Sequence, residues 1–231
     1  LELTRKVAKA GANAIKLQTY RADTLTLNST RAEFLINEGP WAGQTLFDLY
    51  RNAEMPWEWH SSIFETARKS NLAYFSSPFD FSAVDFLERH NVAGYKIASP
   101  EIVDKRLIQY VAATGKPMII STGMANLREI TDAVEWAIQA GCSHLIVLHC
   151  ISAYPAPTEA MNLKRITEMQ SLFPSLDIGL SDHSISSTAA IAATALGVRM
   201  IEKHVILNRN QGGPDAEFSL EPHDLRELVE S

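Results

Sequence analysis

The sequence predicts an α/β fold, a (β/α)8 TIM barrel that is N-terminally truncated so that strand 1 is missing and seven strands remain. Three observations point there. Seven short apolar runs recur along the 231 residues: Ala14 to Leu17, Ala73 to Ser76, Gly94 to Ala98, Pro117 to Ser121, Leu145 to Cys150, Asp177 to Leu180 and Val198 to Val205. Each is followed by an amphipathic helical pattern, and apolar strands alternating with helices mark a parallel sheet covered on both faces. No Gly-rich nucleotide fingerprint follows any run, which favours the barrel over a doubly wound open sheet.

Taken in order, the elements carry their own punctuation. The chain opens in a helix, Leu1 to Ala10, closed by Gly11, and a helix with no strand before it is what suggests the truncation. Pro56 suits the first turn of a helix over Trp57 to Ser70, and Pro222 that of the last helix. Asp104 opens a helix that stops at Gly115, and Gly197 closes another. Asn126, with Glu129 three residues on, makes a capping-box start for a helix that stops at Gly141. The connection from Thr19 to Met55 is long for a barrel loop and contains the stretch Trp41 to Tyr50. Such segments at strand ends serve as lids or binding walls, a small rim helix carrying Leu46, Leu49 and Tyr50 being the plainer alternative. Internal repeats and low-complexity tracts are absent.

A hydrophobic content of 46% lets a chain of this length bury one large core, so residues 1–231 read as a single, partial barrel domain. A net charge of -6 without any long Lys/Arg run excludes nucleic acid and anionic membrane as the main partner. No apolar stretch approaches the roughly 18 residues of a membrane span, and no signal-peptide pattern precedes the first motif. Two cysteines, Cys142 and Cys150, are too few for a disulfide framework, and Cys150 reads as a buried thiol. A cytoplasmic protein is expected.

The residues that end the strands are unusual as a set: Lys16 and Gln18, Ser76 and Ser77, Lys96 with Ser99 and Glu101, Ser121 to Gly123, Ser152 and Tyr154, Ser181 to His183, and Lys203 with His204. A parallel barrel gathers these positions on the face that holds its chemistry. Lysines amid hydroxyls suit a phosphate or carboxylate, because ammonium groups supply charge while hydroxyl and N–H donors satisfy the oxygens. Lys16 and Lys96 lie inside apolar runs, where an ammonium is costly unless an anion meets it. Single serines end strands everywhere, so only their repetition counts. His183 and His204, each closing a strand, make a catalytic metal site if the strands are neighbours. The segment Asn210 to Asp215 can fold over the rim and turn Asp215 toward a polar ligand.

These residues resemble a known family. Lys16-Leu17-Gln18-Thr19, Phe75-Ser76-Ser77-Pro78, Tyr95-Lys96-Ile97-Ala98-Ser99-Pro100-Glu101, Ser121-Thr122-Gly123-Met124, Gly179-Leu180-Ser181-Asp182-His183, Glu202-Lys203-His204 and Gly213-Pro214-Asp215 are together similar to the sialic acid synthases. Trp41 to Tyr50, Pro56 to His60, Ser152 to Pro157 and Glu217 to Pro222 look most like the pseudaminic acid synthase branch. The resemblance implies a metal-dependent condensation of phosphoenolpyruvate with an acylated amino-sugar aldehyde, giving a nonulosonic acid and phosphate. By it, His183 and His204 hold a divalent metal (Mn2+, Mg2+ or Co2+). Lys16, Ser77, Lys96, Ser99, Ser121 and Ser181 contact phosphoenolpyruvate, and Gln18, Glu101, Ser152, Tyr154 and Asp215 line the sugar side. Lys96 and Glu101 join the two histidines as the catalytic set. Sialate-forming members carry asparagine where this chain has Ser152, which shifts the expected sugar away from N-acetylmannosamine. The family's first-strand glutamate and its C-terminal antifreeze-like domain have no counterpart in this sequence, so a barrel fragment of weak activity is expected, with a homodimer for the full-length protein.

Other readings fit parts of the same pattern. The sugar is alternatively that of an N-acetylneuraminate or legionaminate synthase. A lyase forming a Schiff base between Lys96 and pyruvate uses the same barrel and the same buried lysine. Condensation onto a sugar phosphate needs a second, Arg-rich anion site, for which the sequence offers no candidate. A non-catalytic sugar-binding barrel would have no use for both histidines and both strand lysines.

Overall fold

A computed structural model describes residues 1–39 and 41–231. Seven strands run in sequence order through one parallel sheet: β1 (Ala14–Thr19), β2 (Ala73–Pro78), β3 (Tyr95–Ile97), β4 (Met118–Ser121), β5 (Leu145–Cys150), β6 (Asp177–Asp182) and β7 (Ile201–Lys203). Each coincides with an expected run. Helices cover the outer face, and the sheet curls far enough that Lys16 of β1 reaches Glu202 of β7 at 3.1 Å. An open doubly wound sheet would hold its first and last strands apart; this one is an incomplete barrel.

Three helices begin where the sequence says they should, whereas Pro56 lies ahead of its helix, Trp59–Lys69, whose N-cap is Glu58. Asn126 Oδ1 accepts from the Arg128 and Glu129 amides while Glu129 reaches back to the Asn126 amide, so both halves of the capping box form ahead of Leu127–Gln139. Asp104 caps Lys105–Ala112 through the Leu107 amide, and Pro222 occupies the first turn of Pro222–Glu230. The last expected strand is broken up. Only Ile201–Lys203 pairs with β6 as a strand, and Val205 instead bridges Leu220, because the chain after His204 leaves the barrel to meet the returning 216–220 segment. The long connection after β1 follows the plainer reading of it. It forms a rim helix, Leu46–Ala53, capped by Thr45, and carries Trp41 over the mouth of the barrel.

Two apolar layers hold the fold. Outward-facing strand residues such as Ile97, Met118, Ile120, Val147 and Leu180 pack against the helices. Inside, Phe75, Ile119 and Leu148 meet Ala14, Ile146 and Met200 and plug the lower lumen. Burial on both sheet faces is why these strands read as continuous apolar runs. Both cysteines are buried and free, and no helix among the described residues is long and apolar enough to cross a membrane.

Candidate active site

Strand alternation decides which side chains enter the lumen, since residues two apart share a face. On β1 this sends Lys16 and Gln18 inward, with Lys16 just above the apolar plug. Around the barrel Ser77, Lys96, Ser121, Cys150, Ser181 and Glu202 take equivalent places. Lys16 Nζ lies 3.1 Å and Lys96 Nζ 3.7 Å from the same carboxylate oxygen, Glu202 Oε1, which also accepts from Ser181 Oγ at 2.9 Å. Lys96 is 2% exposed and, among the described residues, otherwise donates only to Ile97 O, at 3.3 Å.

One carboxylate therefore serves two ammonium groups. Burial pushes Lys96 down from its ordinary 10.5 to about 8, and Glu202 offsets that only in part because Lys16 shares it. Burial alone would raise the Glu202 carboxyl, but the two ammonium groups prevail and hold it far below the usual carboxylate range. In and above this charged layer several buried polar atoms have no partner among the described residues: Ser77 Oγ, Ser121 Oγ, Ser152 Oγ, Glu101 Oε2 and Glu202 Oε2. Buried polar groups are ordinarily satisfied; the three serine hydroxyls among these can donate to the oxygens of an anion, whereas the Glu202 carboxylate can only accept. Gly123 shows how tightly the backbone approaches: its amide donates to Ser99 Oγ at 3.0 Å, and a Cβ there would lie 2.2 Å from Ser152 Oγ.

The two histidines meet at the rim, their ring centroids 5.3 Å apart. His183 Nδ1 lies 2.9 Å from the carbonyl of Ile151, which can only accept, so Nδ1 bears the proton and Nε2 keeps a lone pair. His204 Nδ1 stands 3.2 Å from Asp215 Oδ2 and is oriented in the same way. Burial pushes His183 down to about 4 and keeps it neutral at physiological pH. Two imidazoles, each held through Nδ1 by an acceptor, are donors suited to a divalent ion. Among the described residues no third His, Cys, Asp or Glu completes a ligand cluster with them. An aromatic wall surrounds the pair: Tyr154 is 4.5 Å from His183, and Phe218 is 5.1 Å from both His204 and Tyr154. Gln18 is exposed at the mouth. Burial raises the Glu101 carboxyl to about 7.

Thus Lys16, Lys96, Ser77, Ser99, Ser121, Ser152, Ser181, Tyr154, Asp215 and both histidines converge as expected, but three rim assignments are corrected. Ser76 faces outward, where its Oγ lies 2.7 Å from Thr19 Oγ1. Lys203 and Asp182 turn away from the lumen and pair with each other at 3.0 Å, fully buried. There Lys203 also binds the carbonyls of Ser184 and Ser186. Alternation explains it, since Asp182 falls between Ser181 and His183, and Lys203 between Glu202 and His204. The same rule was the available signal for the residue missed as a site member, Glu202, which shares its face with His204. Phe218 was missed because no local pattern says where the returning segment lands.

A parallel barrel with lysines, unpartnered hydroxyls and paired imidazoles at the C-terminal ends of its strands has the layout of a barrel enzyme's active face. Residues 3–231 match the model of the NeuB family, and the chain belongs to the NeuB family. It is 42% identical over 231 residues to a pseudaminic acid synthase of Campylobacter jejuni, covering 100% of this chain and 67% of that protein. It is also 42% identical over 230 residues to a pseudaminic acid synthase of Helicobacter pylori, again with 67% of the relative covered. Among solved structures, an N-acetylneuraminic acid synthetase from Leptospira borgpetersenii in complex with citrate superposes with a TM-score of 0.88 at 31% identity, over 99% of this chain and 75% of that one. The chain is accordingly an enzyme of the synthase type, a transferase that forms a carbon–carbon bond. A 3-deoxy-D-arabino-heptulosonate 7-phosphate synthase from Thermotoga maritima shares the fold, with a TM-score of 0.73 at 14% identity over 99% of this chain and 78% of that one.

Proposed function

We propose that the protein condenses phosphoenolpyruvate with an open-chain N-acylated amino-hexose, forming a nonulosonic acid and releasing phosphate. The sugar we assign is 2,4-diacetamido-2,4,6-trideoxy-L-altrose and the product pseudaminic acid, in keeping with the 42% identity to pseudaminic acid synthases. The observation that carries the condensation is the meeting of two buried-layer ammonium groups and unpartnered serine hydroxyls beside paired imidazoles.

Lys16 and Lys96 supply charge to the phosphate and carboxylate of phosphoenolpyruvate, Ser77, Ser99 and Ser121 supply hydroxyl donors, and Ser181, whose proton goes to Glu202, lines the same pocket. Glu202 keeps the two ammonium groups together and charged until the substrate's anions arrive. Tyr154, Ser152, Gln18 and Asp215 face the sugar, and Glu101 holds a proton on its carboxyl beside it near neutral pH. The enol carbon attacks the aldehyde carbon, water adds to the resulting cationic carbon, and phosphate leaves by C–O cleavage. His183 and His204 would hold a divalent ion (Mn2+, Mg2+ or Co2+), which would supply Lewis-acid polarisation of the aldehyde oxygen when bound. A cytoplasmic location and a homodimer of the full-length protein go with this reading.

Mass spectrometry of products from phosphoenolpyruvate and a panel of 2-acetamido and 2,4-diacetamido hexoses, with enzyme from the full-length gene, tests it. The expected product retains every sugar carbon plus three. EDTA should abolish turnover and a divalent ion restore it. Inactivation by borohydride with pyruvate, together with indifference to EDTA, would replace the condensation by a Schiff base on Lys96.

A further inference from the structure

Beside the lumen a cleft of about 330 Å3 opens between the long β1 loop and the loop after β7. Its walls are of two kinds. Trp41, Leu49 and Pro214 are apolar, whereas Gln44 and Asn52 present side-chain amides and Glu217 a carboxylate. Both amides ride on ordered backbone: Gln44 O accepts from the Ile36 amide at 3.0 Å, and Asn52 belongs to the capped helix Leu46–Ala53.

Two contacts tie this cleft to the active site. Trp41 donates its indole N–H to Pro214 O at 3.3 Å and sets its ring 6.0 Å from that of Tyr154, which in turn stands against His183. Pro214 is followed directly by Asp215, the residue that orients His204.

An acylamido group joins the two chemistries of these walls in one substituent, an apolar methyl and an amide with both donor and acceptor. A bare hydroxyl would leave the apolar wall unused. A phosphate would meet Glu217 with no cation in the lining. We infer that the cleft receives the acylamido arm of the sugar that lies farther from the aldehyde carbon, and that Gln44 and Asn52 select doubly over singly acylated hexoses. This rests on the condensation proposed above. The aldehyde carbon must lie at the imidazole pair for the new bond to form there. The path from His183 through Tyr154 to Trp41 leads away from it, so a substituent several carbons along the open chain arrives at the cleft.

Initial rates with phosphoenolpyruvate and either a 2-acetamido or a 2,4-diacetamido hexose test the inference in the wild type, Asn52→Leu and Gln44→Leu. The ratio of kcat/KM for the doubly over the singly acylated sugar should fall about tenfold in each variant, the value of one hydrogen bond. The fall should come through KM for the doubly acylated sugar. Both positions are on the rim, and circular dichroism establishes that each variant is folded. A ratio unchanged in both variants of an enzyme that still condenses overturns the cleft assignment and leaves the condensation standing. Absence of product from every acylated hexose overturns the condensation, and this inference with it.

Discussion

Replacing Lys96 with methionine should separate stability from function. The Lys96 ammonium is 2% exposed, shares its single carboxylate with Lys16 and has one carbonyl besides. With each factor of ten in proton affinity equal to about 1.4 kcal/mol, a fall from 10.5 to about 8 means that the charged form costs the fold about 3 kcal/mol. Below pH 8 that cost is fully present. Between about pH 8 and 10.5 the unfolded chain binds the proton more tightly than the native one, so wild-type stability should rise with pH across that window. Methionine has a similar reach and no charge, and Glu202 keeps Lys16 and Ser181. Imperfect repacking takes back about 1 kcal/mol, leaving Lys96→Met more stable than wild type by about 2 kcal/mol at pH 7. For a chain of this length that raises Tm by roughly 4–8 °C, and the rise in stability above pH 8 should vanish. Phosphate release should fall at least about a hundredfold, the order expected for loss of a preorganised electrostatic group. Differential scanning calorimetry from pH 6 to 10 and a phosphate assay read both. A variant that melts below wild type at pH 7 would show that Glu202 outweighs the cost of burial and refute the energetic argument. Undiminished turnover would refute the role.

Other perturbations follow from the same geometry. Asp182→Ala leaves the Lys203 ammonium buried without its carboxylate and should cost about 3–5 kcal/mol. The double variant Asp182→Leu with Lys203→Met should recover most of that in urea melts. Gly123→Ala forces a Cβ to within 2.2 Å of Ser152 Oγ and 2.9 Å of Ser99 Oγ, which should cost about 1–3 kcal/mol in stability and raise KM for phosphoenolpyruvate. Burial lifts Glu101 from 4.5 to about 7, so the native state binds its proton more tightly and stability should fall as pH rises through that window. Glu101→Gln should flatten that part of the urea-midpoint profile.

The strands and their order were legible because burial on both faces leaves an unbroken apolar run, and because helix caps act within three or four residues. Asp104, Asn126 and Pro222 mark their helices by chemistry that needs no distant partner. Ser77, Ser121, Ser181 and the histidines were legible as a set because a parallel barrel brings strand ends to one face whatever the loops do. Lys203 was misread for want of the inside-outside phase of a three-residue strand. An Asp182–Lys203 pair looks the same in sequence whether it faces lumen or helices.

What the sequence determined by itself is therefore local and periodic: seven apolar strands, their capped helices, and a ring of polar residues at their ends. The tertiary structure alone decided that Lys16 and Lys96 share Glu202, that Asp215 and the Ile151 carbonyl orient the two imidazoles, and that Trp41 meets Pro214 across 173 positions of sequence. Such contacts depend on the curl of the sheet and on where long loops return, and no nearby residue encodes either.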